Sequence, residues 1–181
     1  DLAAHQSEES WFYDQIMRTA LQQNYNLSVS GGSANTTYMV SMGYFDQESN
    51  YVGNKNFGVE RYNFRTNINT EVGRFKLNAI LAYTRNNSIS TTGSSLEIDA
   101  ERVPTYYYYK MKSADGRYLL NDILSEFNPL GALEAGGFNK YRNNYLNANV
   151  SAEMKIIDGL SLKGVLGADV INDTRFTRNN A

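Results

Sequence analysis

The chain has 181 residues, 17 Lys+Arg against 19 Asp+Glu, a net charge of −2, no cysteine and a single histidine, His5. That excludes a disulfide framework, a thiolate metal site and a zinc-binding imidazole cluster, and it argues against a nucleic-acid binder, which needs a basic face to displace counterions. No apolar run approaches the roughly 18 residues of a membrane-spanning helix, whereas 14 Tyr, 22 Asn and 14 Gly against 2 Pro suit many strands and turns.

Residues 8–21 carry the one helical pattern. Phe12, Ile16 and Ala20 recur at i, i+4 and i+8, with Glu8 and Glu9 at the end the helix dipole favours. After Gln22 the period falls from about 3.6 to 2. Six alternating segments follow. Tyr25, Leu27 and Val29 share one face of 24–30; Tyr38, Val40, Met42 and Tyr44 one face of 37–44; Tyr62, Phe64 and Ile68 one face of 61–69. Phe75, Leu77, Ala79, Leu81 and Tyr83 line 75–85. Leu146, Ala148, Val150, Ala152 and Met154 line 145–155, and Leu160, Leu162, Gly164, Leu166, Ala168 and Val170 line 160–170. The opposite faces are rich in Asn, Arg, Thr and Ser. Six strands are predicted.

The connections alternate in length. Those at 31–36, 71–74 and 157–159 are short and carry Gly31-Gly32 and Asp158-Gly159. Those at 45–59 and 86–144 are long, and a stretch of nearly 60 residues suggests a functional loop. Short turns on one side and long loops on the other is the pattern of an outer-membrane β-barrel. A strand of about 10 residues, tilted by about 45°, spans roughly 25 Å of hydrocarbon. Tyr44, Tyr62 and Tyr83 fall beside the long loops, where an aromatic girdle belongs. Short turns face the periplasm in such barrels. The chain therefore divides into an extracellular loop with a short helix (1–22), six strands (23–172) and the start of another outer loop (173–181).

Specific residues extend this pattern. Trp11, Asp14-Gln15-Ile16, Arg18-Thr19-Ala20 and the run Gln23 to Gly32 resemble the SusC-like family of TonB-dependent outer-membrane transporters. So do Tyr38 with Gly43-Tyr44-Phe45-Asp46-Gln47-Glu48, the run Arg61 to Asn67, Asn128-Pro129-Leu130 with Leu133-Glu134, and Asp158 to Gly164, in the same order. The resemblance is weakest in 88–125. Ser49 stands where a glycine is usual, and Gly131 where alanine is common. The resemblance implies an all-β, antiparallel up-and-down transmembrane β-barrel segment of about six strands with one short loop helix. That segment would be part of a plugged barrel of about 22 strands, roughly its second to seventh. It also implies import of oligosaccharides, less often peptides, across the outer membrane of a Gram-negative bacterium. The implied partners are TonB–ExbB–ExbD acting through a plug that this chain does not show, a SusD-like surface lipoprotein over the mouth, and outer-membrane lipid; no cofactor is implied.

The residues themselves offer no catalytic constellation. Ser-His-Asp chemistry would have to use His5; Asp99 with Glu101, and Asp46 with Glu48, show no marks of a paired acid and base. Asp46, Glu48 and Asn50 offer oxygen ligands for calcium, against a plain solvated loop. A non-enzymatic role is expected. The most polar face carries Arg61, Asn63, Arg65 and Asn67, either lining a lumen that passes solute or forming plain wall. Tyr106, Tyr107, Tyr108, Tyr109 and Tyr118 are candidates for substrate or partner contact, because tyrosine stacks on sugar rings and adds a hydroxyl; if the run of four is extended, half of it faces away. Asn128-Pro129-Leu130 is expected as a loop turn. The alternatives are a soluble β-sandwich binding carbohydrate, with the same faces packed inside, and a passive porin-like barrel.

Overall fold

The computed structural model describes residues 13–53, 57–92, 112–118 and 128–179. In chain order they form α1 (Tyr13–Ile16), β1 (Gln22–Gly32), β2 (Thr36–Glu48), β3 (Gly58–Val72), β4 (Phe75–Thr91), α2 (Pro129–Glu134), β5 (Phe138–Ile157) and β6 (Leu160–Arg178). The strands make one antiparallel sheet in the order β1-β2-β3-β4-β5-β6, each hydrogen-bonded to its chain neighbour.

The register places every apolar set predicted from alternation on the same face. Leu27 sits opposite Met42, Met42 opposite Phe64, Phe64 opposite Tyr83, Tyr83 opposite Leu146 and Leu146 opposite Val170. A slip of one residue anywhere would have broken this row. Among the described residues nothing packs against it: Leu27 remains 66% exposed and Leu166 80%. A sandwich would bury this face under a second sheet; the described residues form one sheet, and its aliphatic side is not covered by any of them.

The tight ends of the hairpins are staggered. Thr36 pairs with Thr70, so Glu71 and Val72 run on past the β1–β2 turn. Phe75 pairs with Met154, so Lys155 to Ile157 run on past the β3–β4 turn. Both steps go the same way, as the shear of a tilted barrel wall requires. Gly73 (φ +60°) and Gly159 (φ +85°) supply the left-handed positions at two of these turns.

Two sequence expectations need correction. The helix does not span 8–21: among the described residues it ends at Ile16, and Met17 forms an antiparallel bridge with Tyr51. The i, i+4 spacing was real, but Val52 N–H donates to Ile16 O at 2.8 Å and Arg18 N–H to Asn50 O at 2.7 Å. Those tertiary bonds draw the chain out into extended form. Asn128-Pro129-Leu130 is not a bare turn but the start of α2. Asn128 is the N-cap, its side-chain oxygen accepting from Gly131 N–H at 2.8 Å, and Pro129 takes the first turn. The strands also outrun the alternation. β4 continues to Thr91 and β5 begins at Phe138, because the ladder persists where the apolar face turns polar at Arg85, Asn87 and Arg142.

Candidate functional site

Above the aliphatic rows the apolar face ends in aromatics. The rings of Tyr25 and Tyr44 stack with centroids 6.4 Å apart, and those of Tyr44 and Tyr62 lie 5.1 Å apart. One row along, Tyr83 donates its hydroxyl to Asn144 Oδ1 at 3.0 Å. Rings on the aliphatic side with hydroxyls toward polar neighbours is how tyrosine sits at a boundary between apolar and wet surroundings.

Arg61, Asn63, Arg65 and Asn67 all lie on the other face, opposite Asn86, Thr84, Ala82 and Ile80 of β4. The structure brings the four together as one strip. Asn63 Oδ1 accepts from Thr84 Oγ1 at 3.1 Å, Asn67 Oδ1 from Asn78 Nδ2 at 3.1 Å, and the Arg61 guanidinium rests 5.1 Å over the Phe45 ring. Asparagines here spend their amides on cross-strand ladders, so much of the face is bonded to itself. Sequence reasoning missed an acid of this face. Asp169 on β6 accepts from Tyr145 OH at 2.8 Å and from Asn147 Nδ2 at 2.6 Å. The signal was available, since Asp169 alternates with Ala168 and Val170, and Tyr145 and Asn147 share parity.

The long-connection end holds a small packed cluster. Ile16, Phe57, Leu130 and Leu133 are buried, with Tyr51, Val52, Ile89, Tyr118, Ala132 and Phe138 around them. Gly53, at φ +110°, lets the backbone pass Leu133: a Cβ there would lie 2.5 Å from Leu133 O. Arg18 ties the cluster to β2, donating from Nε to the carbonyls of Ser49 (3.1 Å) and Tyr51 (3.2 Å) and pairing with Glu48 at 3.3 Å. Of the oxygen trio Asp46, Glu48 and Asn50, the two carboxylates share one face of β2, and the trio is partly committed elsewhere. The first two are strand residues, Glu48 is paired with Arg18, and the Asn50 carbonyl is taken.

Tyr118 sits on the flank of this cluster. Its hydroxyl donates to Glu134 Oε2 at 3.0 Å, Lys112 Nζ lies 5.1 Å over its ring, and Lys112 also reaches Glu134 at 2.6 Å. The bond from Lys112 holds the Glu134 carboxyl below its usual range. The same bond raises Lys112, and partial burial raises the Tyr118 phenol. The Tyr118 hydroxyl is therefore engaged within the loop. Tyr106, Tyr107, Tyr108 and Tyr109 lie outside the described residues.

A single twisted row of antiparallel strands, staggered like barrel staves, aliphatic and aromatic-rimmed on one side and amide-lined on the other, is a wall of a transmembrane β-barrel. No family model matches the chain. It is 28% identical over 164 residues to the TonB-dependent receptor P3 of Formosa agariphila, covering 85% of this chain and 16% of that protein. It is 28% identical over 189 residues to the TonB-dependent receptor SusC of Bacteroides thetaiotaomicron, covering 91% of this chain and 18% of SusC. Among solved structures, that of the RagAB peptide importer in the "closed-closed" state superposes with a TM-score of 0.74 at 22% identity, over 96% of this chain and 20% of that one. A second structure, of the RagAB peptide transporter, gives 0.68 at 25%, over 92% and 19%. The chain spans less than a fifth of the length of the curated relatives it matches. The chain is thus similar to a segment of SusC-like TonB-dependent receptors.

Proposed function

We propose that this chain is barrel wall and outer loops of an active importer in the outer membrane of a Gram-negative bacterium. The observation that carries the reading is the continuous aliphatic face, which has no second layer over it among the described residues and is suited to lipid. The names of the relatives agree with it. The hairpin turns lie in the periplasm, the long connections outside, and Arg61, Asn63, Arg65 and Asn67 line the lumen around a plug. The cargo is an oligosaccharide or a peptide; one neighbour is titled a peptide importer. A SusD-like lipoprotein closes over the outer loops, and TonB acts through the plug. The role of this segment is binding and conformational gating, with no catalysis.

The test is uptake by cells expressing the intact protein of which this chain is part. Uptake that vanishes on deleting tonB, with the protein in the outer-membrane fraction, supports the reading. Uptake indifferent to tonB would leave the passive barrel instead. Tyr107→Ala with Tyr108→Ala, and Tyr118→Ala, then sort the loop tyrosines: a change that leaves uptake and lid capture intact removes its residue from the contact surface.

A further inference from the structure

On the apolar side, just past the girdle, lies a recess of about 790 Å³. Tyr62 and Tyr83 form its edge toward the aliphatic rows, and Phe57 and Ile89 its edge toward the loop cluster. Its two halves differ in charge: Asp46, Glu48 and Glu60 come from β2 and β3, while Arg85, Lys140 and Arg142 come from β4 and β5. The acidic half is partly spent, Glu48 on Arg18 at 3.3 Å and Glu60 on the Asn87 amide at 3.5 Å. In the cationic half, Asn87 Oδ1 accepts from Arg85 Nε and from Arg142 Nε, each at 3.3 Å. One neutral oxygen thus holds two guanidinium groups side by side, and each keeps further N–H donors. Among the ion pairs of the described residues, none involves Arg85, Lys140 or Arg142.

Two adjacent guanidiniums repel unless an anion lies between them, and their forked donors match phosphate. Position selects the source. The pair stands on the side that faces lipid, one step beyond the tyrosines that mark the edge of the hydrocarbon, at the height of lipid headgroups. We propose that Arg85 and Arg142, with Lys140 beside them, bind the phosphate of an outer-leaflet lipid whose acyl chains lie along the face of β4 and β5. This rests on the reading of that face as the membrane face.

The test uses the intact protein, delipidated in detergent and titrated with bis-phosphorylated lipid A, dephosphorylated lipid A and inorganic phosphate, bound lipid being counted by native mass spectrometry. Bis-phosphorylated lipid A is expected to bind, and Arg85→Ala with Arg142→Ala to weaken it about tenfold. Lys76→Ala with Lys163→Ala, the same loss of two charges on the opposite face, should leave binding unchanged, and Arg85→Lys with Arg142→Lys should retain part of it. Heat-modifiable gel mobility confirms that each variant keeps its barrel. Equal binding by the double alanine variant and the parent, equal binding of the dephosphorylated lipid, or displacement by inorganic phosphate alone at equal concentration would overturn the site. Failure of the parent to enter lipid nanodiscs would overturn the membrane reading itself, a separable result.

Discussion

The sheet and the loop cluster are built from the same kinds of side chain and bury them in opposite ways. In the sheet, leucines, valines and tyrosines stand exposed along six strands. In the cluster, Ile16, Leu133 and Pro129 are closed off almost completely, with less than 2% of their surface accessible. On the proposed membrane placement, the two regions answer to different solvents. The cluster meets water and must hide its apolar groups against one another. The wall meets hydrocarbon, which lets it leave its aliphatics bare, provided every backbone polar group is paired within the sheet.

The sharpest way to break the contrast is to damage each region with a change suited to it. Leu133→Ala removes a fully buried side chain that has no lipid to replace it, and should cost the cluster about 2–5 kcal/mol of local stability. Hydrogen exchange on the intact protein should show loss of protection at α2 and near Val52, while the strand amides stay protected. A fall in wall protection of the same size would mean that cluster and wall are one cooperative unit.

Leu81→Arg tests the other side. Leu81 lies mid-strand on the aliphatic face, opposite Thr66 and Ala148, and an arginine there should cost about 2–4 kcal/mol in the bilayer. Asn78→Arg, on the opposite face, should cost much less, though it gives up the bonds from Asn78 to Asn67 and Asn69. Unfolding of the protein in vesicles by denaturant measures both, and equal costs would remove the distinction between the faces.

Asn128→Ala is a smaller cut. Asn128 is 7% exposed and caps α2, and loss of a cap typically costs about 0.5–2 kcal/mol. Exchange at the Gly131 amide, which the cap binds at 2.8 Å, should rise first; unchanged protection there would mean that packing of Leu130 and Leu133 alone holds the turn.

The wall was legible in the sequence because a period of 2 is a strong signal when one face is uniformly apolar. The six sets from Tyr25 to Val170 fall on one face each by alternation alone. Legibility ended where that uniformity did. Past Tyr83 the face carries Arg85 and Asn87, so alternation of polarity vanishes while the ladder runs on to Thr91. The cluster was harder for a different reason. Ile16, Phe57, Leu130 and Leu133 come from three separate stretches of chain, and their contacts are set by tertiary bonds such as Val52 N–H to Ile16 O. Local spacing around Ile16 therefore suggested a longer helix than the chain makes. The recess with its paired arginines was invisible because Arg85 and Arg142 are 57 positions apart and meet only through the pairing of Asn87 with Arg142.

The weakest of the expected effects concerns how the loop flank answers to pH. Glu134 titrates below its ordinary range because Lys112 bonds to it, so its contribution is present above the unfolded carboxylate value and fades as pH falls through the lowered one. Lys112 titrates above its ordinary range for the same reason, so its contribution is present below the unfolded lysine value and fades as pH rises through the raised one. The clip among Lys112, Tyr118 and Glu134 is therefore closed across neutral pH and opens first on the acid side, where protonated Glu134 no longer attracts the ammonium. All three groups keep contact with solvent, so screening keeps the effect small. Protection at the Ala135 amide, bonded to Gly131 O at 2.9 Å, should stay level through neutral pH once corrected for intrinsic exchange. It should decline in acid, and Glu134→Gln should abolish that decline while lowering the plateau. An acid decline that survives Glu134→Gln would assign it to another carboxylate and leave the clip without a part in holding the cluster.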